Sequence, residues 1–239
     1  MKHGIFITLS FIVIFTFTSC VYEPEKKVSG KSENTVIALK YVQGDITILY
    51  PEILGLKDEK TQVAVNDLLK NEAFRDLTDW LYSGEKQEDL KLSIEYEMAY
   101  QGKHFLSVKY TGLCNVNGYA RKIFSTVNID LDSGKRLKLS DIVHVNYDFI
   151  EVIRDTLTRY AEKENPDWAI VYNDKLDKDD KALLTLFTDA DTEHNTDCFS
   201  YFTEDYLGII FSTYRVAGDY FEIELRYENI KEHLSSFAM

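Results

Sequence analysis

The chain has few of the residues that usually mark catalytic chemistry. Of its 239 residues three are Cys, three are Pro, three are Met and two are Trp. Its five histidines include no His-x-x-x-His and no His-Glu-x-x-His spacing, so a metal site is not expected. There is no Gly-x-Ser-x-Gly turn and no glycine-rich phosphate loop. Ser83-Gly84-Glu85-Lys86 has the spacing of a serine acyl-enzyme. It ends a predicted helix, however, and no Lys-Thr-Gly strand follows. Lys and Arg number 27 against 40 Asp and Glu, a formal charge of −13. With no basic patch interleaved with aromatics, nucleic acid is excluded as a partner. Acids are so frequent that no glycosidase pair stands out. Neither catalysis nor a cofactor is expected.

Only one long apolar run is present, residues 5–17, behind Lys2 and His3 and ahead of Thr18-Ser19-Cys20. A basic start, an apolar centre and small residues at the end are the marks of a secretory signal. The run is shorter than the ~20 residues of a spanning helix. Phe17-Thr18-Ser19-Cys20 resembles the bacterial lipobox, with Phe17 where Leu is usual. The resemblance implies that residues 1–19 are a signal, that Cys20 is diacylated, and that the rest lies on the extracytoplasmic face of a membrane. Two acyl chains make a firm anchor. Loss of Lys2 with the signal leaves the mature chain one unit more negative, a charge that favours solubility and cationic partners. With Cys20 lipidated, Cys114 and Cys198 remain, as one disulfide or as two buried thiols.

Residues 20–34 are polar and read as a tether. After them come predicted strands at 36–39 and 46–50, ended by Pro51. The apolar spacing of Val65, Leu69, Ala73, Leu77 and Leu81 predicts one helix over 58–82, with Gly84 as its C-terminal cap. Alternation from Leu92 to Tyr100 predicts a strand that turns at 101–103 into a partner carrying Leu106, Val108 and Tyr110. Ile123, Ser125, Val127, Ile129 and Leu131 share one strand face. Asp132-Ser133-Gly134-Lys135 is a turn leading to Leu137 and Leu139.

Phe149, Val152, Ile153, Leu157 and Tyr160 then share a helical face. Residues 162–180 are irregular and 181–187 a short helix. Residues 189–197 are a solvated acidic loop whose start has the alternate acids of a calcium loop without its Gly or bidentate Glu. Strands at 206–216 and 221–228 precede a terminal helix carrying Ile230, His233, Leu234 and Phe237. This order predicts an α+β fold of mostly antiparallel sheets packed with helices.

Asn128-Ile129-Asp130-Leu131-Asp132-Ser133-Gly134-Lys135-Arg136-Leu137, then Leu139-Ser140-Asp141-Ile142, resembles the hairpin and helix lead-in of the RsiV-like extracytoplasmic domain. The stretch from Tyr201 to Phe211, then Tyr214-Arg215-Val216-Ala217, resembles that family's C-terminal strand pair. Ile48 to Ile53, leading to Asn66, resembles the companion N-terminal half. The resemblance implies two consecutive halves, 35–115 and 116–239.

The family includes a lysozyme-sensing anti-sigma factor and the module upstream of peptidoglycan deacetylases. With Met1 to Gly4 ahead of the apolar run and Met239 as the last residue, the expectation is the sensing module alone, as a lipoprotein. The implied partners are lysozyme or another basic protein, or peptidoglycan. The implied contacts are Thr213, Tyr214 and Arg215, with Thr213 where the family commonly has Pro.

Overall fold

A computed structural model describes residues 34–83, 90–163, 179–193, 197–213, 215 and 218–235. The signal, Cys20, most of the tether, Gly84, Tyr214 and Phe237 lie outside the described residues.

The first sheet has six strands in sequence order. They are β1 (Thr35–Gln43), β2 (Ile46–Leu54), β3 (Leu90–Gln101), β4 (Phe105–Val116), β5 (Tyr119–Asp130) and β6 (Lys135–Leu137). Every pairing is antiparallel except β2 with β3, which run parallel over Ile46–Ile48. That pairing needs a crossover, supplied by α1 (Glu59–Ala73) and α2 (Arg75–Tyr82). The expected break at Pro51 does not occur, because β2 continues to Leu54. Ile53 N–H donates to Asn66 Oδ1 at 2.8 Å, so N–H groups of that parity point away from β1. Pro51 shares the parity and lies past the last β3 partner, so its missing donor breaks no ladder bond. Asn66 Nδ2 also donates to Ile53 O at 3.0 Å and closes this edge.

The single helix expected over 58–82 is two. Asp58 caps α1 through Thr61 N–H at 2.7 Å. At Phe74 the backbone leaves helical geometry, with φ −95° and ψ 1°. The Phe74 ring meets Tyr41 and Tyr50 edge-on, with centroids 5.2 and 5.5 Å away. Packing against β1 and β2 turns the chain between the two helices.

The first core lies between these helices and one face of the sheet. Val65 and Leu69 meet Ile48, Leu92, Val108, Val127 and Ile129 there. Tyr110 is buried among them and donates its hydroxyl to Leu69 O at 2.9 Å. Burial, first, and the nearby Glu72 charge hold this phenol well above its usual pKa.

The second sheet is antiparallel, in the order β7 (Cys198–Phe202), β8 (Tyr206–Ser212), β9 (Tyr220–Arg226). The strand predicted over 206–216 therefore ends at Ser212. Helices α3 (Leu139–Ile142), α4 (Tyr147–Lys163) and α5 (Asp180–Thr188) cover its outer face. There Phe149, Ile153 and Leu183 pack on Leu207, Ile209 and Phe211. The predicted terminal helix is the short α6 (Tyr227–Ile230) plus a 3₁₀ turn (Lys231–His233), and Leu234 then bridges to Val143.

The two sheets meet where β7 lies against β5, around Phe124, Phe199, Tyr201 and Ile210. Within the second sheet Gly208 on β8 leaves room for the ring of its β7 partner Tyr201, because a Cβ there would stand 2.0 Å from Tyr201 Cε1. The first sheet ends at Leu137, so the junction between 115 and 116 falls within the β4–β5 hairpin.

Candidate functional site

A cleft of about 340 Å³ opens beside the ends of both sheets. Its walls are α2, the start of β5, the end of β8 and the start of β9, and Thr213 stands on it. Three cations and four carboxylates line it: Arg75, Arg121 and Lys122 against Asp76, Asp79, Asp197 and Asp219. Phe124, Phe199 and Tyr220 supply an aromatic floor. Phe124 and Tyr220 have centroids 5.0 Å apart, and the Arg75 guanidinium lies over Phe199 at 5.1 Å.

Three of the four carboxylates are engaged. Asp76 Oδ1 pairs with Arg121 Nη2 at 3.2 Å. Asp219 Oδ2 accepts from Lys122 N–H at 2.8 Å. Asp197 Oδ1 accepts from Ser212 Oγ at 3.0 Å. Asp76 is only 16 % exposed, and burial raises its pKa against the lowering pull of Arg75 and Arg121. Burial, then Asp219, raises the Tyr220 phenol. Thr213 N–H donates to Asp219 O at 2.8 Å. Its Oγ1 is buried and has no hydrogen-bond partner among the described residues. Asp219 holds a positive φ of 73°, a conformation Asp tolerates better than most residues.

Of the contacts expected from the sequence, Thr213 lines this cleft, and Arg215 is exposed and its backbone carbonyl accepts from Gly218 N–H at 3.0 Å. Tyr214 and Cys20 lie outside the described residues. Cys114 and Cys198 are both buried. Cys114 belongs to the helix-covered core of the first sheet and Cys198 to that of the second. Among the described residues no group of three or more His, Cys, Asp or Glu is arranged around a metal position.

The sequence reading missed a polar network between the sheets. Asp191, expected in a solvated loop, is 1 % exposed. Its Oδ1 accepts from Ser200 N–H at 2.7 Å and Thr126 Oγ1 at 3.1 Å, and its Oδ2 from Ser200 Oγ at 2.5 Å. Asn128 Nδ2 donates to Ser200 O at 3.0 Å, Ser107 Oγ to Asn128 Oδ1 at 2.8 Å, and Phe202 N–H to Ser107 Oγ at 3.0 Å. Burial pushes the Asp191 carboxyl up to about 6, against the lowering effect of these hydrogen bonds. The network ties β4, β5 and β7 together. Glu72, likewise missed, is buried between Arg136 Nη2 at 2.6 Å and Arg75 Nη1 at 2.8 Å.

No family model and no curated protein matches the chain. Among solved structures it is similar to a crystal structure of a DUF3298 family protein from Pseudomonas aeruginosa. That match covers 88% of this chain and 97% of the other, at 11% identity and a TM-score of 0.52. A DUF3298 family member from Bacteroides fragilis matches over 88% of this chain and 96% of the other, at 18% identity and a TM-score of 0.49. DUF3298 is the RsiV-like domain family. At 11% identity the likeness to the Pseudomonas aeruginosa protein is one of fold.

Proposed function

We propose that this protein is a lipid-anchored, extracytoplasmic binding protein of the bacterial envelope. On this reading it attaches through Cys20 and recognises a basic protein such as lysozyme through the cleft beside Thr213. The observation that carries the reading is the position of Thr213. A contact implied by the sequence resemblance stands on an open, charged and aromatic cleft. Mixed charge over aromatic rings is the chemistry of protein contact surfaces, where Tyr and Arg carry much of the energy.

The acidic balance of the chain supports a cationic partner, since it raises the encounter rate and makes binding sensitive to salt. A non-enzymatic role is supported by the engagement of Asp76, Asp197 and Asp219, because a carboxylate held by a cation or donor is a poor base. The test is titration calorimetry of the full chain, in detergent, with a lysozyme at low and high ionic strength. Salt-sensitive binding at micromolar affinity or tighter supports the reading. No binding at either ionic strength removes lysozyme as the partner.

A second reading, an envelope hydrolase acting on wall polymer, is favoured by one observation. Asp76 and Tyr220 both have raised pKa values and line the same cleft. It requires release of soluble fragments from peptidoglycan, and loss of that release in Asp76→Asn.

A further inference from the structure

At the opposite end of β8 from Thr213 a second cavity, of about 460 Å³, opens between the β3–β4 turn and the β7–β8 turn. A seven-residue strand separates the two by roughly 20 Å. Tyr100, Phe105, Phe202 and Tyr227 line the cavity. Tyr100 and Phe105 have centroids 5.7 Å apart, and Phe105 meets Phe202 edge-on at 5.4 Å.

The walls are held in place before any ligand arrives. Tyr227 Oη donates to Thr203 O at 2.9 Å. Thr203 Oγ1 accepts from Tyr206 N–H at 3.0 Å and Asp205 N–H at 3.2 Å, which fixes the β7–β8 turn. Gly102 completes the other wall. A Cβ there would stand 2.7 Å from Tyr100 Cε1, so the ring lies back over the turn only because residue 102 has no side chain.

The rim is polar and of both signs, with Lys103 and His104 facing the cavity alongside Glu204. A ligand of single charge would meet a like charge on this rim. A purely apolar ligand would strand the rim's donors and acceptors. A sugar ring matches both parts, because its C–H faces pack on aromatic rings and its hydroxyls both donate and accept. The volume lies within the ~300–1,000 Å³ of small-molecule sites. We infer that this cavity is a saccharide-binding site, taking a neutral pyranose unit of a glycan. It is separate from the cleft beside Thr213 and does not depend on the partner proposed there.

The test titrates the full chain, in a polyoxyethylene detergent that carries no sugar, with the β-1,4-linked tetramer of N-acetylglucosamine. No lysozyme is present. The inference requires saturable binding that weakens about tenfold or more in Tyr100→Ala and in Gly102→Ala, and that is unchanged in Tyr119→Ala, an exposed aromatic outside the cavity. Gly102→Ala displaces only the free end of the Tyr100 ring, so it reports even if Tyr100→Ala unfolds. Absence of binding at millimolar tetramer overturns the inference. So does binding that survives Gly102→Ala at full strength.

Discussion

The Asp191 carboxylate accepts from both the backbone N–H and the hydroxyl of Ser200, at 2.7 and 2.5 Å, inside the seam between the two sheets. Two residues nine apart in sequence thus close the 189–197 loop and fasten it to β7. Thr126 on β5 adds a third donor.

This arrangement sets a pH dependence. The folded protein keeps the Asp191 proton up to about pH 6, whereas the ordinary value is 3.8. Between these values the folded state binds more protons than the unfolded chain, so stability falls as pH rises from about 4 to about 6 and then levels. The upper bound of the loss is on the order of 3 kcal/mol. Asp191→Asn removes the ionisation while keeping an acceptor for Ser200 N–H. Urea unfolding at pH 4.5 and 7.5 is expected to show a smaller drop for the variant than for the parent.

Gly208→Ala tests the packing of β8 against the Tyr201 ring of β7. The added methyl would collide with the Tyr201 ring, which is 1 % exposed and whose hydroxyl bonds Glu222. The ring has no free path outward. A loss of about 1–3 kcal/mol is expected in denaturant unfolding, with an unchanged m-value.

Glu72→Ala leaves Arg75 and Arg136 without their shared counter-ion. The two guanidiniums are 18 % and 19 % exposed and the Glu72 side chain 3 %. The expected cost is on the order of 2–3 kcal/mol, below that of a fully buried pair because both cations reach water. Arg121→Ala, at a pair whose Arg is 60 % exposed, is expected to cost less than about 1 kcal/mol by the same measurement.

Cys114 and Cys198 are expected to behave as inert thiols. Both are buried, at 4 % and 0 % exposure. A thiol reagent should therefore label them slowly in the native protein and rapidly in denaturant, adding two thiols per chain beyond any from Cys20. Reducing agent should leave the thermal midpoint unchanged.

Much of the fold could be read from one chain because local signals agreed with tertiary demand. Leu92, Ile94, Phe221, Ile223 and Leu225 alternate with polar residues, and the structure buries each of them. The turn before β6 forms as its chemistry suggests. Ser133 Oγ donates to Asp130 Oδ2 at 2.6 Å, and Gly134 takes a φ of 69°.

The failures share a cause, since each depended on a partner distant in sequence. Ser107, Thr126 and Asn128 look like the solvent side of β4 and β5, yet all are buried beneath β7. Asp191 reads as loop acid until Ser200 is placed beside it. The Phe74 break depends on Tyr41 and Tyr50. Of the cleft, only Thr213, just past the end of β8, carried a sequence signal as a contact. Arg75, Asp76, Arg121 and Asp219 come from elements that meet only in the folded chain.

The most direct test of the account is amide hydrogen exchange of the full chain with and without a lysozyme. Added protection is expected on residues 119–124, 212–213 and 218–220, around the cleft, and none at the β1–β2 turn on the far edge of the first sheet. Unchanged exchange in 212–213 and 218–220, or protection confined to β1 and β2, would contradict recognition through the cleft.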